Sequence, residues 1–489
     1  PHTITINHAV TSSTAGEVTT INGSNITINT GGSLSVSGGN YSPGARTVDI
    51  KSGATLTIAS SLLIGTGVFK SAAGSTISVG NNLLVSGAAA AIADHYIAGS
   101  FSVTNNIAVT AGNIQFANLT VGSKPLYTSA GTTFNVLGTL TLTGAETIGN
   151  RTFAGTSNIA NIVMSADANI NFSGTANISG SVTIKNDAEF TITSSGNLKV
   201  TGDFNIHESY GQPALNFTNN GTFSANNLLN QVSGYGPGTI TNNGTMTINN
   251  LLNLNNGAKL DNQGTITTSD LTMNTANNEL FNGSATNSTA RINVLDDVNL
   301  DYGYFNNYGT VDVGDDYLNS LNARLTNFPT GVIDIGGDGY FVNQSAGSQQ
   351  NGGAITVSGQ ATIANNWMHN YYGGTGGTFN AMSGLSLIPP TAAYLFGTTS
   401  GQGCLSQGFL NYKDCICLVN SSCSACPVAS KYYLLPPIPP GTLPAGAPSL
   451  PGCMAPITLP LSISHISAEI SLPHSIIVSW ADAIPEKSK

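Results

Sequence analysis

Apolar residues alternate with hydroxyl-bearing ones in short runs opened by glycine, and these runs return about every 22 positions up to residue 385. Near the start they read Gly32-Ser33-Leu34-Ser35-Val36, Gly53-Ala54-Thr55-Leu56-Thr57-Ile58 and Gly74-Ser75-Thr76-Ile77-Ser78-Val79. Far downstream they read Gly309-Thr310-Val311-Asp312-Val313, Gly331-Val332-Ile333-Asp334-Ile335 and Gly353-Ala354-Ile355-Thr356-Val357. Apolar positions two apart mark a strand with one buried face rather than a helix. A fixed period of this length marks a solenoid, in which each repeat is one turn stacked on its neighbours. The predicted fold is all-β: a parallel β-helix (β-solenoid) of about 17 turns over residues 1–385.

A second motif predicts how each turn bends. In Ile58-Ala59-Ser60-Ser61-Leu62, Val79-Gly80-Asn81-Asn82-Leu83, Val294-Leu295-Asp296-Asp297-Val298 and Val313-Gly314-Asp315-Asp316-Tyr317, three mostly small or polar residues separate two strands. Gly, Asn and Asp tolerate the backbone angles of a sharp bend, and short polar side chains bond nearby backbone. Stacked turns lie about 4.8 Å apart, so like side chains form columns. Stacked amides bond one another, whereas close aspartates repel by about 1 kcal/mol in water.

The spacing predicts one corner column that starts as Ser61, Asn82 and Asn106 and ends as Asp297, Asp316 and Asp338, with Asp312 and Asp334 paired on a neighbouring strand. Two readings of these aspartates stand. One is a solvated acidic edge that keeps the molecule soluble. The other is Ca²⁺ held between turns by carboxylate oxygens, the one cofactor the sequence suggests.

Composition narrows the chemistry. Only 8% of residues are charged, against about 25% in ordinary soluble domains, so the exterior is hydroxyl and amide. Such polar, Gly-rich sequence resembles disorder, but the regular apolar pairs supply a core that a disordered tract lacks. A net charge of −10 with 14 Lys plus Arg leaves no basic footprint for nucleic acid or acidic lipid. No apolar run approaches the roughly 18 residues of a membrane-spanning helix, so no membrane insertion is expected.

An enzyme on this scaffold needs paired carboxylates in a groove, or carboxylates holding Ca²⁺ beside a basic residue. Arg291 and Arg324 lie near the acidic cluster but in no recognisable motif, and no nucleophile elbow or zinc-protease helix is present. The expectation is a protein without catalytic residues.

The period breaks at Asn365-Asn366-Trp367-Met368-His369-Asn370-Tyr371-Tyr372. Trp367, His369, Tyr371 and Tyr372 read either as a lid over the last turn of the core or as rings for stacking on glycans. All six cysteines follow within fifty residues: Cys404, Cys415, Cys417, Cys423, Cys426 and Cys453. Three disulfides in an exported chain are the simplest outcome, with a zinc site on Cys415, Cys417, Cys423 and Cys426 as the rival. The division expected is solenoid 1–385, Cys-rich capping module 386–430, Pro-rich linker 431–460 (which includes Cys453), and strand tail 461–489.

Leu459-Pro460-Leu461-Ser462-Ile463-Ser464-His465-Ile466-Ser467-Ala468, followed by Ser475-Ile476-Ile477-Val478-Ser479-Trp480 and Glu486, resembles the first two strands of the fibronectin type III-like domain that follows repeat regions in Bacteroidota surface proteins. The opening Thr3-Ile4-Thr5-Ile6-Asn7-His8-Ala9-Val10 is similar to the first turn of repeat proteins from the same group. The resemblance covers about thirty residues at the C-terminal end. It implies export by the type IX route and display on the cell surface.

Two functions fit a neutral rod of this kind. The first is a structural subunit of an extracellular filament, built by stacking solenoid on solenoid and clasping with the C-terminal tail. The second is an adhesin stalk that binds glycans or surfaces.

Overall fold

The computed structural model describes residues 2–364 apart from 89–90, 145–150, 166, 186, 210–214, 234–237, 256 and 343–348, and beyond them the strand residues 367–368, 371–372, 375–376, 378–381, 384–388, 409–412, 463–471 and 475–482. The chain winds as a parallel β-solenoid with a period of about 22 residues, as its alternating pattern predicts, in about 15 turns rather than about 17.

Each complete turn has three sides, and each side stacks into a column. The first column begins with Thr3–Ile6, Asn25–Ile28, Thr47–Ile50 and Val68–Ser71, and ends with Thr310–Val313, Val332–Ile335, Ala354–Val357 and Thr378–Ala381. The second is carried up to residue 103 by a separate five-stranded ladder, Ala9–Ser12, Ser33–Val36, Thr55–Ile58, Thr76–Val79 and Ser100–Val103, and from Leu119–Val121 onward by another. The third runs from Leu62–Ile64 past Asn216–Asn219 and Lys259–Asn262 to Gln349–Asn351.

Inward positions alternate with outward ones along nearly every rung. Ile26, Ile28, Leu34 and Val36 are almost wholly buried, while Thr27 and Ser35 between them face outward. The middle of the core is a file of phenylalanines, Phe116, Phe134, Phe153, Phe172, Phe190 and Phe204, whose successive ring centroids lie 5.2 to 5.8 Å apart. Aromatic pairs at this separation add about 0.5–1.5 kcal/mol each beyond burial.

The first turn has a helix, Ala15–Asn22, in place of a third strand. Thr14 caps it and the Glu17 carboxylate accepts from the backbone N–H groups of Ser13 and Thr14, which holds that carboxyl below its usual range. Val18 and Ile21 turn inward and cover part of the core.

Two buried polar groups bond backbone carbonyls. The ring nitrogens of His95 each lie 2.8 Å from a carbonyl oxygen, those of Asn113 and Gly67. The wholly buried Arg151 guanidinium donates to the carbonyls of Gly122, Lys124, Thr143 and Asn169.

The pairing register corrects one expectation. Up to residue 106 the three-residue polar corner precedes the third column: Ser61 leads into Leu62, Asn82 into Leu83 and Asn106 into Ile107. From residue 179 onward a corner of the same type precedes the second column: Asp297 leads into Val298, Asp316 into Tyr317 and Asp338 into Gly339. The motif slips by one side of the triangle between Val103 and Leu119, where the five-stranded ladder ends. Ser61, Asn82 and Asn106 therefore do not share a column with the later aspartates. A bend needs only small residues and a short acceptor, so the same three residues serve any corner, and the period alone does not say which.

Past the main solenoid, Gly384–Ile388 extends the second column and Phe409–Tyr412 extends the first. Ile463–Ser471 and Ser475–Asp482 pair antiparallel with each other.

Candidate functional site

The acidic corner is built from strand ends. In several turns a side chain at the bend accepts the backbone N–H of the corresponding bend one turn up. Asn161 accepts from Ser181 N at 3.0 Å, Ser181 Oγ from Asp203 N at 3.3 Å, Asp297 from Asp316 N at 3.1 Å and Asp316 from Asp338 N at 2.7 Å. The position asks for one acceptor oxygen, which Asn, Ser and Asp all provide. The aspartates of this column thus have a structural role before any ligand is considered.

Three carboxylates converge here, and only one of them was singled out by the sequence. Ligand oxygens of Asp296, Asp297 and Asp315 lie within 4.8 Å of one another, all exposed. The Asp297 carboxylate, aided by partial desolvation and by Asp270 and Asp315, pushes the Asp296 carboxyl above its usual range. Such mutual repulsion is the field a cation relieves, and exposed carboxylates from two adjacent turns match the hard oxygen donors of Ca²⁺. Asp338 is drawn into a different contact, accepting from Tyr340 Oη at 3.2 Å, and this raises the Tyr340 hydroxyl above its usual range.

Asp312 and Asp334 lie on the outer face of the first column, directly in register, and away from the corner group. Arg291, one turn below, makes an ion pair with Asp312 and donates to Asn293 Oδ1 at 2.7 Å. The charge of Asp312 is matched by an arginine of the chain itself.

Sequence reasoning missed a polar column inside the core. Asn219, Asn242, Asn262, Asn282, Asn307, Asn327 and Asn351 end successive rungs of the third column and are all fully buried. The Nδ2 of each of the first six donates to the Oδ1 of the asparagine one turn up, at 2.7 to 2.9 Å. The same nitrogens also reach backbone carbonyls, Asn242 that of Thr265 and Asn282 that of Thr310. The signal was present as Asn-x-Gly at Asn219-Asn220-Gly221, Asn242-Asn243-Gly244, Asn262-Gln263-Gly264, Asn307-Tyr308-Gly309 and Asn351-Gly352-Gly353.

Of the aromatic cluster, Trp367 and Met368 pair with Gln349 and Gln350 in the third column, and Tyr371–Tyr372 pair antiparallel with Thr375–Gly376. Trp367 thus takes the register of Gln349. His369, all six cysteines and the zinc alternative lie outside the described residues.

No family model, curated protein or solved structure matches this chain. Among the described residues no helix is long and apolar enough to cross a membrane.

Proposed function

We propose that this is a non-enzymatic structural protein, displayed outside the cell, whose solenoid is a subunit of a surface fibre or filament. The observation that carries the reading is the stack of parallel rungs in the first and second columns, a ladder that the rungs of another copy can continue. Among the described residues, Thr3–Ile6 pairs only with Asn25–Ile28 and Ala9–Ser12 only with Ser33–Val36. Val10 is 43% exposed, although it sits in register with Leu34, which is 1% exposed. Strand edges and exposed apolar side chains are templates for pairing with another molecule, and lysines commonly block it. The strand segments of this turn, residues 3–12, carry no Lys, Arg, Asp or Glu.

A second copy whose last rungs present the same first and second columns would continue both ladders. That makes a heterologous contact, which propagates into a filament unless it closes into a ring. The terminal strands Ile463–Ser471 and Ser475–Asp482, reached through the Pro-rich run, serve as the clasp.

Electron microscopy of the purified chain at several concentrations tests this. Fibres whose axial repeat is near one solenoid length, about 70 Å at the spacing of stacked strands, are the expected result. Short single rods at every concentration would overturn it and leave the adhesin stalk as the reading to pursue with a glycan-binding screen.

A further inference from the structure

We propose that His95 is held in the core as the imidazolium ion and acts as a pH-sensitive staple between successive turns. Its side chain is fully buried, at a rung position that Phe69 fills one turn below. Nε2 lies 2.8 Å from the carbonyl oxygen of Gly67, in the turn below, and Nδ1 2.8 Å from that of Asn113, in the turn above. A backbone carbonyl only accepts, and a neutral imidazole has one N–H. A ring with one proton therefore turns a lone pair onto one of the two oxygens, and turning the ring over presents carbon atoms to both. Only a ring protonated at both nitrogens donates to both carbonyls.

The surroundings suit a cation. A buried charge is tolerated where it is hydrogen-bonded or paired, and in this same core the Arg151 guanidinium, which is always charged, donates to backbone carbonyls. Of the elements packed against the ring, Val68–Ser71 carries Lys70, the helical turn Ile92–Asp94 carries Asp94, and Ile107–Phe116 carries no titratable group. Tyr96, on the strand of His95 itself, takes the outward position. Lys70 and Asp94 pair at 2.8 Å. The hydrogen bond from Lys70 and, more weakly, the positive charge of His95 hold the Asp94 carboxyl below its usual range. Loss of either ring proton replaces a donated bond by contact between two lone pairs, so the staple is complete at low pH and opens as pH rises.

A neutron crystal structure of the full chain, from crystals grown at neutral pD, tests the charge directly. Deuterium on both Nδ1 and Nε2 is expected, and a bare nitrogen at either position overturns the proposal. Hydrogen–deuterium exchange tests the staple in solution. Protection factors over residues 67–71, 95–97 and 107–116 should fall by about tenfold or more from mildly acidic to alkaline buffer, as for the loss of one hydrogen bond from a charged donor. The fall should be absent in His95→Phe. Wild-type protection that does not depend on pH, or the same fall in the folded variant, overturns the staple. If that variant fails to fold, the neutron density at the two nitrogens decides.

Discussion

Asn242 donates from Nδ2 to Oδ1 of Asn262 at 2.8 Å, across one turn of the solenoid and entirely out of contact with water. Asn262 repeats the bond to Asn282 at the same distance, so one geometry propagates through the core. A buried amide is tolerated because its neighbours above and below are identical to it and supply both missing partners. Replacing Asn262 with Ala strands the Oδ1 of Asn282 and removes one acceptor from Asn242. At about 1–3 kcal/mol for each buried group left unpaired, the loss should be about 2–4 kcal/mol. Asn262→Asp should cost more, since a carboxylate has no hydrogen to offer Asn282. Hydrogen exchange should show the loss concentrated over residues 239–294, because stacked repeats depend on their immediate neighbours.

The glycine two residues after five of the seven ladder asparagines has its own steric reason. A Cβ on Gly244 would fall well inside contact distance of the Gly221 carbonyl oxygen, and one on Gly264 would do the same to Gly244. Gly264→Ala should therefore destabilise by about 1–3 kcal/mol, the usual cost of overpacking, although alanine is otherwise the mildest replacement. Chemical denaturation beside Gly16→Ala checks this, since a Cβ on Gly16 meets nothing within 4 Å.

These two columns show what the sequence pattern does and does not convey. Alternation such as Thr55-Leu56-Thr57-Ile58 is enforced by burial on one face of a strand, so strands and core were legible. The slip of the corner motif between Val103 and Leu119 was not, because Asn82 and Asp316 solve the same local problem at different corners. The internal asparagines were hidden by expectation of another kind. Asn at a buried position looks unfavourable until its copies in adjacent turns are brought into register, and only pairing such as Asn219 with Asn242 and Asn242 with Asn262 does that. The grouping of Asp296 with Asp315 likewise depends on which turns are adjacent.

The acidic corner carries a pH signature. The carboxyl of Asp296 is raised in the folded chain by Asp297 and its other neighbours, so the folded state holds that proton more tightly than the unfolded chain. Stability then falls as pH rises between the ordinary aspartate value of about 3.9 and the raised one, and the repulsion persists at neutral pH. Asp296→Asn should melt higher than wild type at neutral pH, and the gap should close as pH falls towards about 4. A gap independent of pH would show that the asparagine acts through something other than charge.

Cations test the same cluster. Asp297 already gives an oxygen to a backbone N–H, and all three converging carboxylates are exposed. Calcium chloride and sodium chloride at equal ionic strength should therefore raise the melting temperature alike, by screening. A calcium-specific rise that disappears in Asp315→Asn would instead establish ion binding between the two turns.

The clasp can be separated from the stack. Ile463–Ser471 and Ser475–Asp482 pair with each other over most of their length, and a lone two-stranded hairpin is marginally stable in water, so the proposed clasp requires this tail to pack against something larger. Among the described residues, no solenoid strand up to Val357 pairs with a residue beyond 433. Deleting residues 434–489 should leave the β-rich circular dichroism and cooperative melting of the solenoid in place while polymers seen by electron microscopy disappear or shorten. Polymers of unchanged length would place the whole contact in the edge strands Thr3–Ile6 and Ala9–Ser12. In that case Val10→Lys, at an exposed apolar position of the second column, should be the change that dissolves them.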